Sequence, residues 1–435
     1  MRDEQTPPAA PKGEPPSGNV SSIATCCPLV STFQGSSRPE RVKGFDPRTN
    51  LVNQRGTGEY WVPPEKGKTA PSDRYTQDGA AWASVGLQQE VELEIGFEGQ
   101  SGNGCLANCT FETVPDGIIE ITTPGIASNN AIFRLRGLAE GETTIKVRCD
   151  GADIGWVHVV CYAPIQIRAV VGSVVTPRTR SVGYSISAME KVLNAAFKHA
   201  LISFRLQDAG DINMGGNVGM AAKEAEYRVN LTEEQIPPMF SDGYGDVAGD
   251  ALTPFFNDDL IFAKDLAAIV ERVTAARFPG RLPVLYYVPT DAVALANGSV
   301  PEVGMSPAFC FKDFTDATVS GYGLEDTYAI MAHEIGHVLG LRHPHDPNCT
   351  ELPPHLRNSV NRTVMDEPAT NTEPAIITAG KPVGVERNRI AIMSRDPLNL
   401  MGYWPAFREQ LFLRKKQWDT CRAGALRHKD ANRNG

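Results

Sequence analysis

Between residues 333 and 345 the chain reads HEIGHVLGLRHPH, and no other stretch restricts its fold so tightly. Four of the eight histidines stand in these thirteen positions. A helix turns about 100° and rises ~1.5 Å per residue. His333 and His337 therefore fall on one helix face, about 40° and ~6 Å apart, and their imidazoles can meet one ion from the same side. In a continued helix His343 would point about 120° away from His337 and ~9 Å further on, out of reach of that ion. The chain must leave the helix between them, and Gly340 is where a left-handed residue ends a helix at little cost. Three nitrogen ligands with one position left open is the arrangement of a catalytic zinc rather than a structural one. Glu334, about 100° round the helix from His333, suits a group that reaches the attacking water and not the metal, so its expected role is general base. His345 is off the pattern and reads as a solvated loop residue.

The pattern H-E-x-x-H-x-x-G-x-x-H resembles that of the metzincin zinc endopeptidases. The resemblance implies one zinc held by His333, His337 and His343, with Glu334 as base. It also implies a tight methionine turn beneath the metal, downstream of the third histidine. TVMDE at Met365, AIMSR at Met393 and NLMGYW at Met401 are the candidates. Met401 is preferred because Gly402 and Tyr403 follow it, as in the Met-x-Tyr turns of astacin-like and serralysin-like members. In those subfamilies the tyrosine can be a fifth metal ligand, so Tyr403 is expected either to ligate or to be a buried turn tyrosine. The implied substrate is a protein or peptide, extended along an edge strand that precedes the metal helix.

With 435 residues the chain has room for two or three domains. A net charge of −9 speaks against a nucleic-acid partner. No run of eighteen apolar residues predicts a membrane span. The opening MRDEQTPPAAPKGEPPSGNV has no apolar core of a signal peptide. The expectation is a protein that stays inside, or one exported by a route that reads no such signal. In the second case the N-terminal region would meet a secretion machine, and the protein would be an exported effector or toxin. The other class considered is a zinc-binding adhesion or binding module that has lost activity; the retained Glu334 argues against it. Nine cysteines with no C-x-x-C pair argue against a cysteine-based structural zinc. Cys105, Cys109, Cys149 and Cys161 have the numbers for two disulfides in one small domain.

Residues 1–84 read as a disordered or irregular lead-in, rich in Pro, Gly and small polar residues at its start. Residues 85–163 hold short alternating runs such as VELEIGF, AIFRLRGL and GWVHVVCY, the pattern of a β-sandwich. The stretch GLAEGETTIKVRCDGADIGWVHVVCYA resembles the last strands of bacterial Ig-like modules, with another small β domain as the alternative. Residues 164–435 alternate strand and helix patterns and fit a metzincin-like α+β protease domain. IQIRAVVGSV, LISFRLQ and LPVLYYV read as strands, and SPAFCF as the edge strand of a cleft. SAMEKVLNAAFKHA (capped by Ser187), AKDLAAIVERVTAARF, EDTYAIMAHEIGHVLG and 404–426 read as helices. The acidic runs DAGDINMGG and GYGDVAGDALTPFFNDD lack EF-hand spacing and read as solvated loops. The expected fold class is thus multidomain, an all-β Ig-like sandwich followed by an α+β metzincin-like domain. Because every candidate ligand lies beyond residue 164, the sandwich is expected to be dispensable for chemistry.

Overall fold

A computed structural model of the chain describes residues 29–35, 44–46, 81–98, 109–127, 130–149, 151–226, 228–231, 253–256, 260–290, 293–294, 298–311, 324–343, 359–361, 377–378, 381–382, 391–393, 399–401, 413 and 415–431. The described chain is β-rich, with a few helices confined to its later part.

The first unit has two sheets. Strands β1 (Leu29–Gly35), β4 (Glu90–Glu98), β7 (Asn130–Gly137) and β6 (Ile119–Ala127) lie side by side in that order. The facing sheet has the order β2 (Gly44–Asp46), β3 (Trp82–Gly86), β9 (Ala152–Tyr162), β8 (Gly141–Cys149), β5 (Cys109–Val114). On β7, Phe133 and Leu135 point inward while Ile132, Arg134 and Arg136 stay exposed, the period-2 pattern of a strand with one wet face. Val85, Val91, Leu93, Phe133, Leu135, Ile145, Val147 and Val157 close a common core. Strands β1 and β2 and the start of β3 come from the stretch read as a lead-in: β1 pairs antiparallel with β4, and β2 with β3. Edge pairing is invisible to a local pattern, because the partner lies tens of residues away. Cys161 is a buried free thiol, so the pairing considered for it is not made. Burial pushes that thiol up to about 11; Glu140 adds to the rise and Arg422 opposes it. Cys109 and Cys149 are directly opposite each other on β5 and β8.

The second unit is built on a five-stranded sheet in the order β12 (Ile202–Asn213), β10 (Ile165–Val175), β15 (Leu282–Tyr286), β19 (Ala308–Cys310), β18 (Gly298–Ser299). The first four run parallel, and β18 alone is antiparallel to its neighbour. Short strands β11 (Thr179–Arg180) and β16 (Val288–Pro289) pair beside it. A small separate sheet joins β13 (Arg228–Leu231), β14 (Thr253–Phe256) and β17 (Val293–Ala294). The edge strand is therefore Gly298–Ser299 and not the SPAFCF segment. Ala308, Phe309 and Cys310 are buried completely, as an interior strand with two covered faces requires, whereas Gly and Ser suit a short edge. The run DAGDINMGG is mostly strand: β12 extends to Asn213 past a register shift, with Gly210 at φ +59°.

Among the described residues, five helices pack around this sheet: α1 (Ile186–Phe197), α2 (Val218–Glu226), α3 (Leu260–Arg277), α4 (Leu324–Val338) and α5 (Lys415–Ala431). The cap of α1 is Ser185, whose hydroxyl accepts from Ala188 N–H, and not Ser187. Ile186 joins the first turn and shifts the start upstream. The closing helix begins at Lys415 and runs on to Ala431, later than the sequence pattern suggested. Among the described residues no helix is long and apolar enough to cross a membrane.

The two units share a core. Trp82, Val160 and Tyr162 belong to the same buried cluster as Ile165, Leu201, Phe204 and Trp418. The Ser84 hydroxyl donates to the His199 carbonyl across the junction at 2.9 Å. Helix α5 rivets it: Lys415, almost wholly buried, reaches Glu142 at 2.8 Å and Asp419 at 2.7 Å, and lies over the Trp82 ring. Arg422 donates to the Ala163 and Ala200 carbonyls, and the Tyr162 hydroxyl donates to Asp419.

Candidate metal centre

Helix α4 is apolar nearly all round. Tyr328, Ala329, Ile330, Met331, Ala332, Ile335 and Val338 are buried, which is how a helix inserted into a core looks. It ends where the glycine argument places its end. Gly340 has φ +100°, Gly340 N–H donates to His337 O, and Leu341 N–H donates to Gly336 O, each at 2.9 Å. This pair of bonds is a Schellman termination. It turns the Leu341 carbonyl back toward the helix, where the His337 Nδ1–H meets it at 2.8 Å. Two residues later His343 arrives over the same face.

The three imidazoles converge. His343 Nε2 lies 3.0 Å from Nε2 of both His333 and His337. On the opposite side of its ring, His333 Nδ1 faces the Leu400 carbonyl at 2.7 Å. A carbonyl only accepts, so Nδ1 carries the proton on both helical histidines and Nε2 turns a bare lone pair inward. Burial holds the His333 imidazole down at about 3; His337 lowers it further, and the bond to Leu400 works the other way. Neutral imidazoles with lone pairs facing one another repel unless a cation stands between them. Nitrogens ~2.0–2.1 Å from one tetrahedral zinc lie about 3.3 Å apart, close to the spacing here. The donor set therefore fits a zinc ion, with backbone carbonyls as the outer supports that orient two of its ligands.

Glu334 is buried beside His333 on α4. A Cβ built on Gly298 would stand 2.7 Å from the Glu334 Cγ and Oε1, and 2.7 Å from the Phe309 carbonyl. The carboxylate thus sits directly against the edge strand. Beneath the helix, a Cβ on Gly336 would meet the Met401 sulfur at 2.6 Å, so Met401 packs against the turn between His333 and His337. Met401 is wholly buried. Met365, Gly402, Tyr403 and His345 lie outside the described residues, as do Cys26, Cys27 and Cys105. Met393 ends a short strand paired with Ser359–Asn361.

The sequence pattern missed Gly298, Asn399 and Gln417. Gly298 sits in an ANGSV stretch that reads as a turn, and only its contact with Glu334 shows its use. Asn399 and Gln417 carry no motif, and only their mutual hydrogen bonds mark them.

No protein-family model matches the chain, and no curated protein matches it. Among solved structures, the S-layer protein SbsC aligns over 19% of this chain and 12% of its own length, at 23% identity and a TM-score of 0.17. The Lin-41 filamin domain aligns over 18% of this chain and 82% of its own, at 14% identity and a TM-score of 0.16. An LD transpeptidase aligns over 25% of this chain and 44% of its own, at 14% identity and a TM-score of 0.14. Likeness at this level bears on neither fold nor activity. The class defined by fold and site is a two-sheet β unit fused to a mixed-sheet α/β unit that carries a three-histidine centre.

Proposed function

We propose that the chain is a zinc-dependent endopeptidase of metzincin type, preceded by an Ig-like β-sandwich. The observation that carries this reading is the convergence of His333, His337 and His343 with Glu334 on the same helix, beside an antiparallel edge strand. His333, His337 and His343 would hold the ion, and Met401 would form the turn beneath it. When bound, zinc supplies Lewis-acid polarisation of the scissile carbonyl and acidifies water. Glu334 takes the proton of the attacking water and delivers it to the leaving amine. The outer side of β18 offers main-chain groups to an extended peptide, which would run past Glu334. Tyr403 as a fifth ligand belongs to the same proposal. An inactive binding module would need the histidines but not a carboxylate packed against the edge strand.

Metal analysis of the purified chain tests the centre. One zinc per chain is expected, with loss on His333→Ala, His337→Ala or His343→Ala; full occupancy in His343→Ala would remove the third ligand from the assignment.

Gly298→Ala tests the placement of the base. The added methyl must displace the Glu334 carboxylate or push β18 off the Phe309 carbonyl. Hydrolysis of casein is expected to fall by about 10²-fold, the scale of an ångström's misplacement, with zinc content unchanged. An active Gly298→Ala variant would show that Glu334 works from another position.

A further inference from the structure

We propose that Asn399 and Gln417 are positioning residues for the metal: a buried amide pair that holds the Leu400 carbonyl on His333 and ties that ligand to helix α5. The proposal rests on the zinc reading above. Both side chains are completely buried. Asn399 Nδ2 donates to Gln417 Oε1 at 2.8 Å, and Gln417 Nε2 donates back to Asn399 Oδ1 at 3.2 Å. The same Oδ1 accepts the Met401 N–H at 3.0 Å. Asn399 therefore clamps the chain on both sides of Leu400, and the Leu400 carbonyl is the group that receives the His333 Nδ1–H. The amides reach His333 through that carbonyl.

Gln417 stands on a helix that has little freedom of its own. Two residues before it, Lys415 is locked between Glu142 and Asp419. Further along, a Cβ on Gly424 would clash with the Leu339 carbonyl, so α5 also presses on the end of the metal helix. His428 Nε2–H donates to the Val338 carbonyl nearby at 3.4 Å. One rigid element thus reaches the supports of His333 at one point and the helix bearing His333 and His337 at another. Removing one member of the pair removes the two buried hydrogen bonds that hold the other, and the Leu400 turn would relax.

The test is a zinc titration of the full chain against a chromophoric chelator. Gln417→Met keeps the volume and removes both bonds. Zinc affinity is expected to fall about 10–100-fold, the usual effect of an outer-shell support. Because the effect runs through His333, the single-histidine variants are titrated up to zinc concentrations at which their two remaining histidines still bind weakly; there, adding Gln417→Met to His333→Ala should weaken zinc no further, while adding it to His343→Ala should. An equal loss in the wild-type and His333→Ala backgrounds means general loosening and overturns the proposal. Unchanged affinity in Gln417→Met overturns it alone; a wild-type chain that takes up no zinc overturns the metal centre with it. If Gln417→Met does not fold, Gln417→Glu keeps the acceptor for Asn399 Nδ2, removes the return donor and carries the same comparison.

Discussion

Glu334→Gln is expected to lower hydrolysis of a protein substrate by about 10²–10⁴-fold, the usual contribution of a positioned general base, with zinc still bound. The substitution keeps the size of the side chain and leaves His333, His337 and His343 untouched. Space for it is already set by the bare Cα of Gly298, so the fold should not change. What disappears is a carboxylate able to take a proton from the attacking water and pass it to the leaving amine. Rates on casein, zinc content and the unfolding temperature measured together decide the matter. Equal rates in the two proteins, with zinc in place, would remove Glu334 from the mechanism. If neither protein cleaves any member of a broad peptide library while both hold zinc, the binding-module reading moves ahead.

Removal of residues 1–163 is expected to cost the second unit its fold, and with it the zinc. This reverses the expectation drawn from ligand position alone. All the candidate ligands do lie beyond residue 164, but the core around them does not. Trp82, Val160 and Tyr162 are buried in the same cluster as Trp418 and Phe204. Deleting one large buried aromatic typically costs about 3–5 kcal/mol. Two are lost here, against a net stability of about 5–15 kcal/mol for a typical protein. The loss also strips Lys415 of Glu142 and of the Trp82 ring, and Arg422 of the Tyr162 ring. Circular dichroism and metal content of a 164–435 fragment check this. A soluble fragment with native helix content and one bound zinc would show that the two units are separable after all.

What the sequence determined by itself is what short range can express. Helical geometry relates His333, His337 and Glu334 within one turn, and the left-handed tolerance of Gly340 marks the helix end because only nearby backbone sterics are involved. Apolar periodicity located β10, β12, β15, α1, α3 and α4 for the same reason; it missed α2 and placed the start of α5 too early. The tertiary structure alone decided the rest. SPAFCF and Gly298–Ser299 exchange places as interior and edge because sheet order depends on which distant strands pair. The strands Leu29–Gly35 and Gly44–Asp46 exist through partners tens of residues away. The supports of the site are likewise non-local: Leu400 on His333 spans 67 positions. Gln417 meets Asn399 only because α5 packs across both units. Such contacts leave no period or spacing in the chain, since burial and hydrogen bonding select them after the elements have come together.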